Sequence, residues 1–164
     1  MQMGQSMLVL GAFVLLTTVV LSVHRALLQN QDATDEAQHG IPAIALAQSI
    51  IEEASARAFD EEVTGTPPPN LPDGFTQPSE LGPEAGESYP DLDDVDDYNG
   101  LNVQDTTSVG VIYTITASVY YVEASAPDTP VSYPTFFKRI DVTASSSFLS
   151  RPVTLSHLFS YWSR

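Results

Sequence analysis

The apolar residues of this chain change period twice. In the first stretch they have no period: "MLVLGAFVLLTTVVLSV" (7–23) is greasy on every side, and no Asp, Glu, Lys or Arg precedes Arg25. With Ala26, Leu27 and Leu28 on the same helix, it reaches the roughly 20 residues that span a hydrocarbon core. Helix formers continue through "ALLQNQDATDEAQ" to "HGIPA", where Gly40 and Pro42 predict a break. In "AIALAQSIIEEASARAFDEEV" a helical period sets in. Ile44, Ala47, Ile51, Ala54 and Ala58 recur at spacings of three and four, and Leu46 and Ile50 widen the stripe. Glu52, Glu53 and Asp60 fall on the opposite side. Gly65 and the run Pro67–Pro69 mark the end of this helix.

After a loop rich in Pro and Gly (64–90) and an acidic run, the period becomes two. In "VGVIYTITASVYYVE" one face holds Val111, Tyr113, Ile115, Ala117, Val119 and Tyr121. "SAPDTPVSYP" predicts a turn. "TFFKRIDVTA" predicts a second strand, with Ile140, Val142 and Ala144 inward and Arg139, Asp141 and Thr143 outward. "RPVTLSHLFSYW" predicts a third, with Val153, Leu155, His157, Phe159 and Tyr161 on one face. The expected fold is α+β: a long N-terminal helix, broken near Gly40–Pro42, packed on an antiparallel sheet of about three strands. The expected segments are an apolar helix over 1–28 and an amphipathic continuation over 29–63. A Pro/Gly/Asp-rich loop follows over 64–106, and the sheet over 107–164.

Charge narrows the function. The chain has 21 acidic and 6 basic residues, a net charge of −15, and only Asp105, Glu123, Asp128 and Asp141 of the acids lie outside Asp32–Asp97. Such a chain repels phosphate backbones, so nucleic acid is not an expected partner. With no cysteine, disulfides and thiolate metal sites are excluded. A cleaved secretory signal is disfavoured, since residues 1–6 carry no basic side chain and "SVHRALLQ" is a poor cleavage site.

No pattern for catalysis or for a cofactor emerges, and enzymatic activity is not expected. His24 and His39 read as helix-surface residues, and His157, inside an apolar strand, as a core or interface residue. Glu52 and Glu53 diverge by about 100° on a helix and read as a solvated face. The one candidate metal site is "DLDDVDDYNG", where Asp91, Asp93, Asp94, Asp96 and Asp97 could ligate calcium. The EF-hand spacing is not met, and a solvated acidic turn is the alternative. Lys138–Arg139, the only adjacent basic pair, is expected to pair with acids within the subunit or across a contact.

Two stretches resemble type IV pilins and their relatives. "AIALAQSIIEEA" (43–54) is similar to the "ALA-S--EE" helix of minor pilins and pseudopilins. "DDVDDYNG" (93–100), followed by a strand and "KRIDVTA" (138–144), resembles the mannose-sensitive haemagglutinin type of minor pilin. "GQSMLVLGAFVL" (4–15) is similar to prepilin-like proteins with a short leader ending in Gly, which makes Gly4 a candidate processing site. The glutamate that pilins carry five residues into the mature chain is missing: cleavage after Gly4 puts Val9 there, and a start at Met1 puts Gln5 there. The resemblance implies a structural subunit that waits in the inner membrane and then, with the pilus assembly machinery, joins copies of itself or other pilins in a surface filament. Leu8, Leu10, Phe13, Leu15, Val19, Leu21 and Leu27 would line the filament core. The alternative is a single-pass anchored protein with an acidic extracytoplasmic binding head.

Overall fold

The computed structural model describes residues 2–61, 74–108 and 110–162, with side chains described from Gly4 onward and not over 28–35. The Pro-rich run at 67–69 and the expected helix end at Gly65 lie outside the described residues. The chain divides into two compact units, Met1–His39 and Gly40–Arg164.

Helix α1 spans Gln2–Ser55 and so enters both units. The expected break at Gly40–Pro42 does not interrupt it: Pro42 lies inside the helix. Proline here removes one N–H donor and crowds the carbonyl four residues back, at Gln38, but helix continues on both sides. In the first unit, Gly4–Leu27 is long and apolar enough to cross a membrane, with a mean hydropathy of 2.4 and none of it buried. Its two threonines return their hydroxyls to the helix's own carbonyls, Thr17 Oγ1 to Phe13 O and Thr18 Oγ1 to Leu15 O, each at 2.8 Å. These bonds satisfy the polar atoms without water.

In the second unit the end of α1 buries Ala43, Ala47, Ile50, Ile51 and Ala54 in the main hydrophobic cluster. The stripe is rotated from the expected one, because Ile44 is exposed and Ala43 takes its place inside. The helix stops at Ser55, short of the expected 63. Ser55 Oγ bonds Ile51 O at 2.6 Å, and Ala56 and Arg57 then close tight turns onto Glu53 O and Ala54 O. Ala58 next pairs with the acidic run: its N–H donates to Asp93 O at 3.1 Å and its carbonyl accepts from Val95 N at 3.0 Å. That pairing turns Phe59 and Asp60 inward. Asp60, expected on the solvent side of a longer helix, is fully buried.

A short 3-10 helix, η1 (Asp96–Tyr98), leads through Gly100, whose φ of 83° suits glycine, into the sheet. Five antiparallel strands form, not three. They are β1 (Asn102–Thr106), β2 (Ile112–Glu123), β3 (Ala126–Pro130), β4 (Phe137–Ser145) and β5 (Val153–Ser160). The order is β1-β2-β4-β5, with β3 paired to the end of β2. The two unexpected strands are short and weakly patterned. β1 has one half-buried residue, Val103, and β3 is exposed throughout with a Pro at each of positions 127 and 130. Both sit at sheet margins, where Pro and polar residues are tolerated.

The long strands follow the expected alternation. Tyr113, Ile115, Ala117, Val119 and Tyr121 of β2 are buried, as are Ile140, Val142 and Ala144 of β4. Val119 faces Ile140 across the ladder, and Tyr121 faces Lys138. On the edge strand β5 the inward face fades: Phe159 is buried, Val153 and Leu155 are half-buried, and His157 is exposed, not in the core. His157 rests edge-on against Phe159, with ring centroids 4.7 Å apart.

Candidate functional site

The alternation that buries Ile140, Val142 and Ala144 also points Lys138 inward, and its side chain is fully buried. A lone buried ammonium is costly, so its surroundings must supply acceptors and negative charge. Two segments do so. Lys138 Nζ donates to Phe59 O at 2.7 Å, to Asp60 Oδ2 at 3.0 Å and, closely, to Asp96 Oδ1. The first two acceptors come from the chain just after α1 and the third from η1. The ammonium also lies 4.8 Å from the ring centre of Phe59 and 5.4 Å from that of Tyr121. Tyr121 Oη approaches Asp60 Oδ2 at 3.2 Å and Thr76 O at 2.9 Å, and Thr76 N donates to the same Asp60 oxygen at 3.1 Å.

The neighbouring acids fold the "DLDDVDD" run around itself. Asp94 Oδ1 accepts from the N–H groups of Asp96 (2.7 Å) and Asp97 (3.2 Å), and Oδ2 accepts from Glu61 N at 2.8 Å. Asp97 Oδ2 accepts from Asp93 N (2.9 Å) and Asp94 N (3.0 Å). Asp60, Asp94, Asp96 and Asp97 are all buried, with one lysine to balance them. Desolvation, and next the adjoining Asp96 carboxyl, push Asp94 up to about 9, so it holds its proton at neutral pH. With all three ammonium donors matched and its side chains sealed from solvent, the centre ties together the end of α1, η1 and β4. A substrate has no access to it.

A second set of carboxylates lies nearby. One oxygen each from Glu84, Glu87 and Asp97 come within 4.8 Å of one another. Desolvation and the Asp97 carboxyl push Glu84 up to about 7. The segment is pinned to η1 by Asn99 Nδ2, which donates to Leu81 O at 2.9 Å. Beside it opens a cleft of about 390 Å³ whose lining includes Glu61, Phe75, Thr76, Glu80 and Glu84.

The five aspartates expected to bind calcium are thus divided. Asp91 and Asp93 are exposed, Asp94 serves backbone N–H groups, Asp96 serves Lys138, and Asp97 joins Glu84 and Glu87. Glu53, expected in a solvated face, is half-buried and accepts from Tyr98 Oη at 3.0 Å and Tyr89 Oη at 3.3 Å. The basic pair splits across the sheet. Lys138 goes inside, while Arg139 binds Asp141 at 2.8 Å, Ser156 Oγ at 3.0 Å and, closely, Asp128. The sequence signal for Lys138 was its parity with Ile140. Glu84 and Glu87 carry no local motif, because only the fold brings them to Asp97.

In the first unit, Leu8, Leu10, Phe13, Leu15, Val19, Leu21 and Leu27 are all exposed, and Gly4 lies within α1, also exposed. Fold and site together define an α+β head, held by a buried lysine–carboxylate centre, on a chain that also carries an uncovered apolar helix. No protein family, no curated protein and no solved structure matches this chain.

Proposed function

We infer that this protein is a structural subunit of a pilus-like surface filament, held in the inner membrane by Gly4–Leu27 before assembly. The observation that carries this reading is the exposure of every side chain of that 24-residue span. At ~1.5 Å per residue the span is about 36 Å long, enough for a hydrocarbon core of ~30 Å. Each Leu, Val or Phe left in water would forgo about 1.5–3 kcal/mol of burial. Such a helix needs lipid or other apolar helices around it. Exchange of lipid for like helices would drive polymerisation, with the acidic head outward. The resemblance of "AIALAQSIIEEA" and "DDVDDYNG" to minor-pilin segments supports the filament over a solitary anchor.

Because the chain has no cysteine, a single Leu10→Cys or Leu15→Cys substitution gives an unambiguous contact probe. Under mild oxidation of intact cells, a filament subunit yields disulfide-linked dimers in sheared surface material. Leu10→Asp should abolish that material. If the Cys variants stay monomeric in the membrane fraction and no filaments are shed, the protein is a single-pass anchor with a binding head.

A further inference from the structure

We propose that Glu84, Glu87 and Asp97 form a calcium site on the head, distinct from the lysine centre. Three carboxylate oxygens converge there within 4.8 Å. An acidic cluster alone would be unremarked surface, but Asp97 is only 1% exposed and its Oδ1 is buried with no hydrogen-bond partner. Its other oxygen is fully used by the N–H groups of Asp93 and Asp94. No N–H or hydroxyl reaches this oxygen, and the Glu84 carboxyl beside it can bond to Asp97 only by holding a proton, so a cation is the alternative partner for the cluster. Lys138 does not supply it: its three donors are spent on Phe59, Asp60 and Asp96.

The donor set selects the ion. All three ligands are hard oxygens, with no His or Cys, which suits Ca²⁺ or Mg²⁺ over zinc or copper. Oxygens held at ~2.3–2.6 Å around Ca²⁺ lie at most about 5 Å apart, and those around Mg²⁺ at ~2.0–2.1 Å at most about 4 Å. The three oxygens, all within 4.8 Å of one another, fit inside the span of the larger ion's shell. Exposed Glu84 leaves room for water to complete the six to eight ligands that Ca²⁺ takes. The ion would join the 84–87 turn to η1, and η1 in turn holds Lys138 through Asp96.

The test uses the full-length chain in detergent micelles, stripped of metal with a chelator and titrated with CaCl₂. Binding is read by calorimetry and by the melting transition followed through Trp162 fluorescence. Wild type is expected to bind with a Kd of about 10⁻⁴–10⁻³ M, as extracellular calcium modules do, and to melt at a higher temperature when loaded. The double variant E84Q/E87Q, changed at the less buried ligands so that the fold survives, should bind at least about tenfold more weakly. D91N/D93N removes the same charge from the exposed neighbours and should bind as wild type does. Absence of binding by wild type, equal weakening in both double variants, or a response to MgCl₂ equal to that of CaCl₂ would each overturn the proposal.

Discussion

Replacing Lys138 by Met tests the centre of the head most directly. Methionine keeps much of the length and apolar stem of lysine but removes the charge and all three donors. Asp60, Asp96 and the carbonyl of Phe59 would then lose the partner they share inside a fully buried space. Removing one member of a buried ion pair costs about 3–5 kcal/mol, mostly because the surviving charge is stranded. At ~4 °C per kcal/mol for a domain of this size, K138M should melt about 12–20 °C below wild type near pH 7.5. Adding Asp96→Asn to K138M removes one stranded charge and should recover part of the loss. The assay is thermal unfolding of the full-length protein in detergent, followed through Trp162, whose ring lies 4.6 Å from that of Phe136. A K138M protein as stable as wild type at pH 7.5 would refute the charge accounting.

Two further predictions concern the head. Asp94 holds a proton up to about pH 9 in the folded state, whereas an unfolded aspartate releases it near 3.9. The folded state therefore binds more protons across that window, and stability falls as pH rises, by at most ~1.4 kcal/mol per unit from this group. In calcium-free buffer the head should melt higher at pH 5.5 than at pH 8.5, and a melting temperature that climbs over this range would contradict the assignment. On the sheet, Ile140→Ala should cost about 2–5 kcal/mol and His157→Ala within about 0.5 kcal/mol, measured by urea unfolding, although the two residues face each other across β4 and β5. Comparable losses would mean that β5 is covered on its inward side.

What could be read from the sequence was what one periodicity decides alone. The all-round apolar run, the strand alternation of β2 and β4 and the helical stripe before Ser55 each repeat often enough to outvote local noise. The stripe's rotation, with Ala43 inside and Ile44 outside, was not legible, because Ala and Ile at adjacent positions satisfy the same spacing. The end of α1 escaped for a different reason. Nothing between Ser55 and Glu62 forbids a helix; the chain leaves it because Ala58 pairs with Asp93 and Val95, well over thirty residues away. β1 and β3 offered too few apolar residues to show any period. The acidic run looked like one site, yet its members separate by partner, and those partners lie at positions 61, 84, 87 and 138.

The lysine centre also bears on how the head carries so much buried negative charge. Four acids are withdrawn from solvent at Asp60, Asp94, Asp96 and Asp97. One lysine neutralises part of that charge, and the proton on Asp94 removes more. Swapping a buried ion pair for well-packed apolar residues is often neutral or stabilising, so net stability is weak justification for keeping one. Its distinctive property here is reach. Asp60, Asp96 and Lys138 belong to three segments far apart in sequence, and an ammonium with three fixed acceptors admits one arrangement of them, where an apolar cluster would tolerate several. A head whose segments are pinned in this way keeps one arrangement of them. The same reasoning gives the 84–87 turn its place: it is tied to the end of η1 through Leu81 and Asn99, so an ion bound at Asp97 would stiffen that turn against the centre.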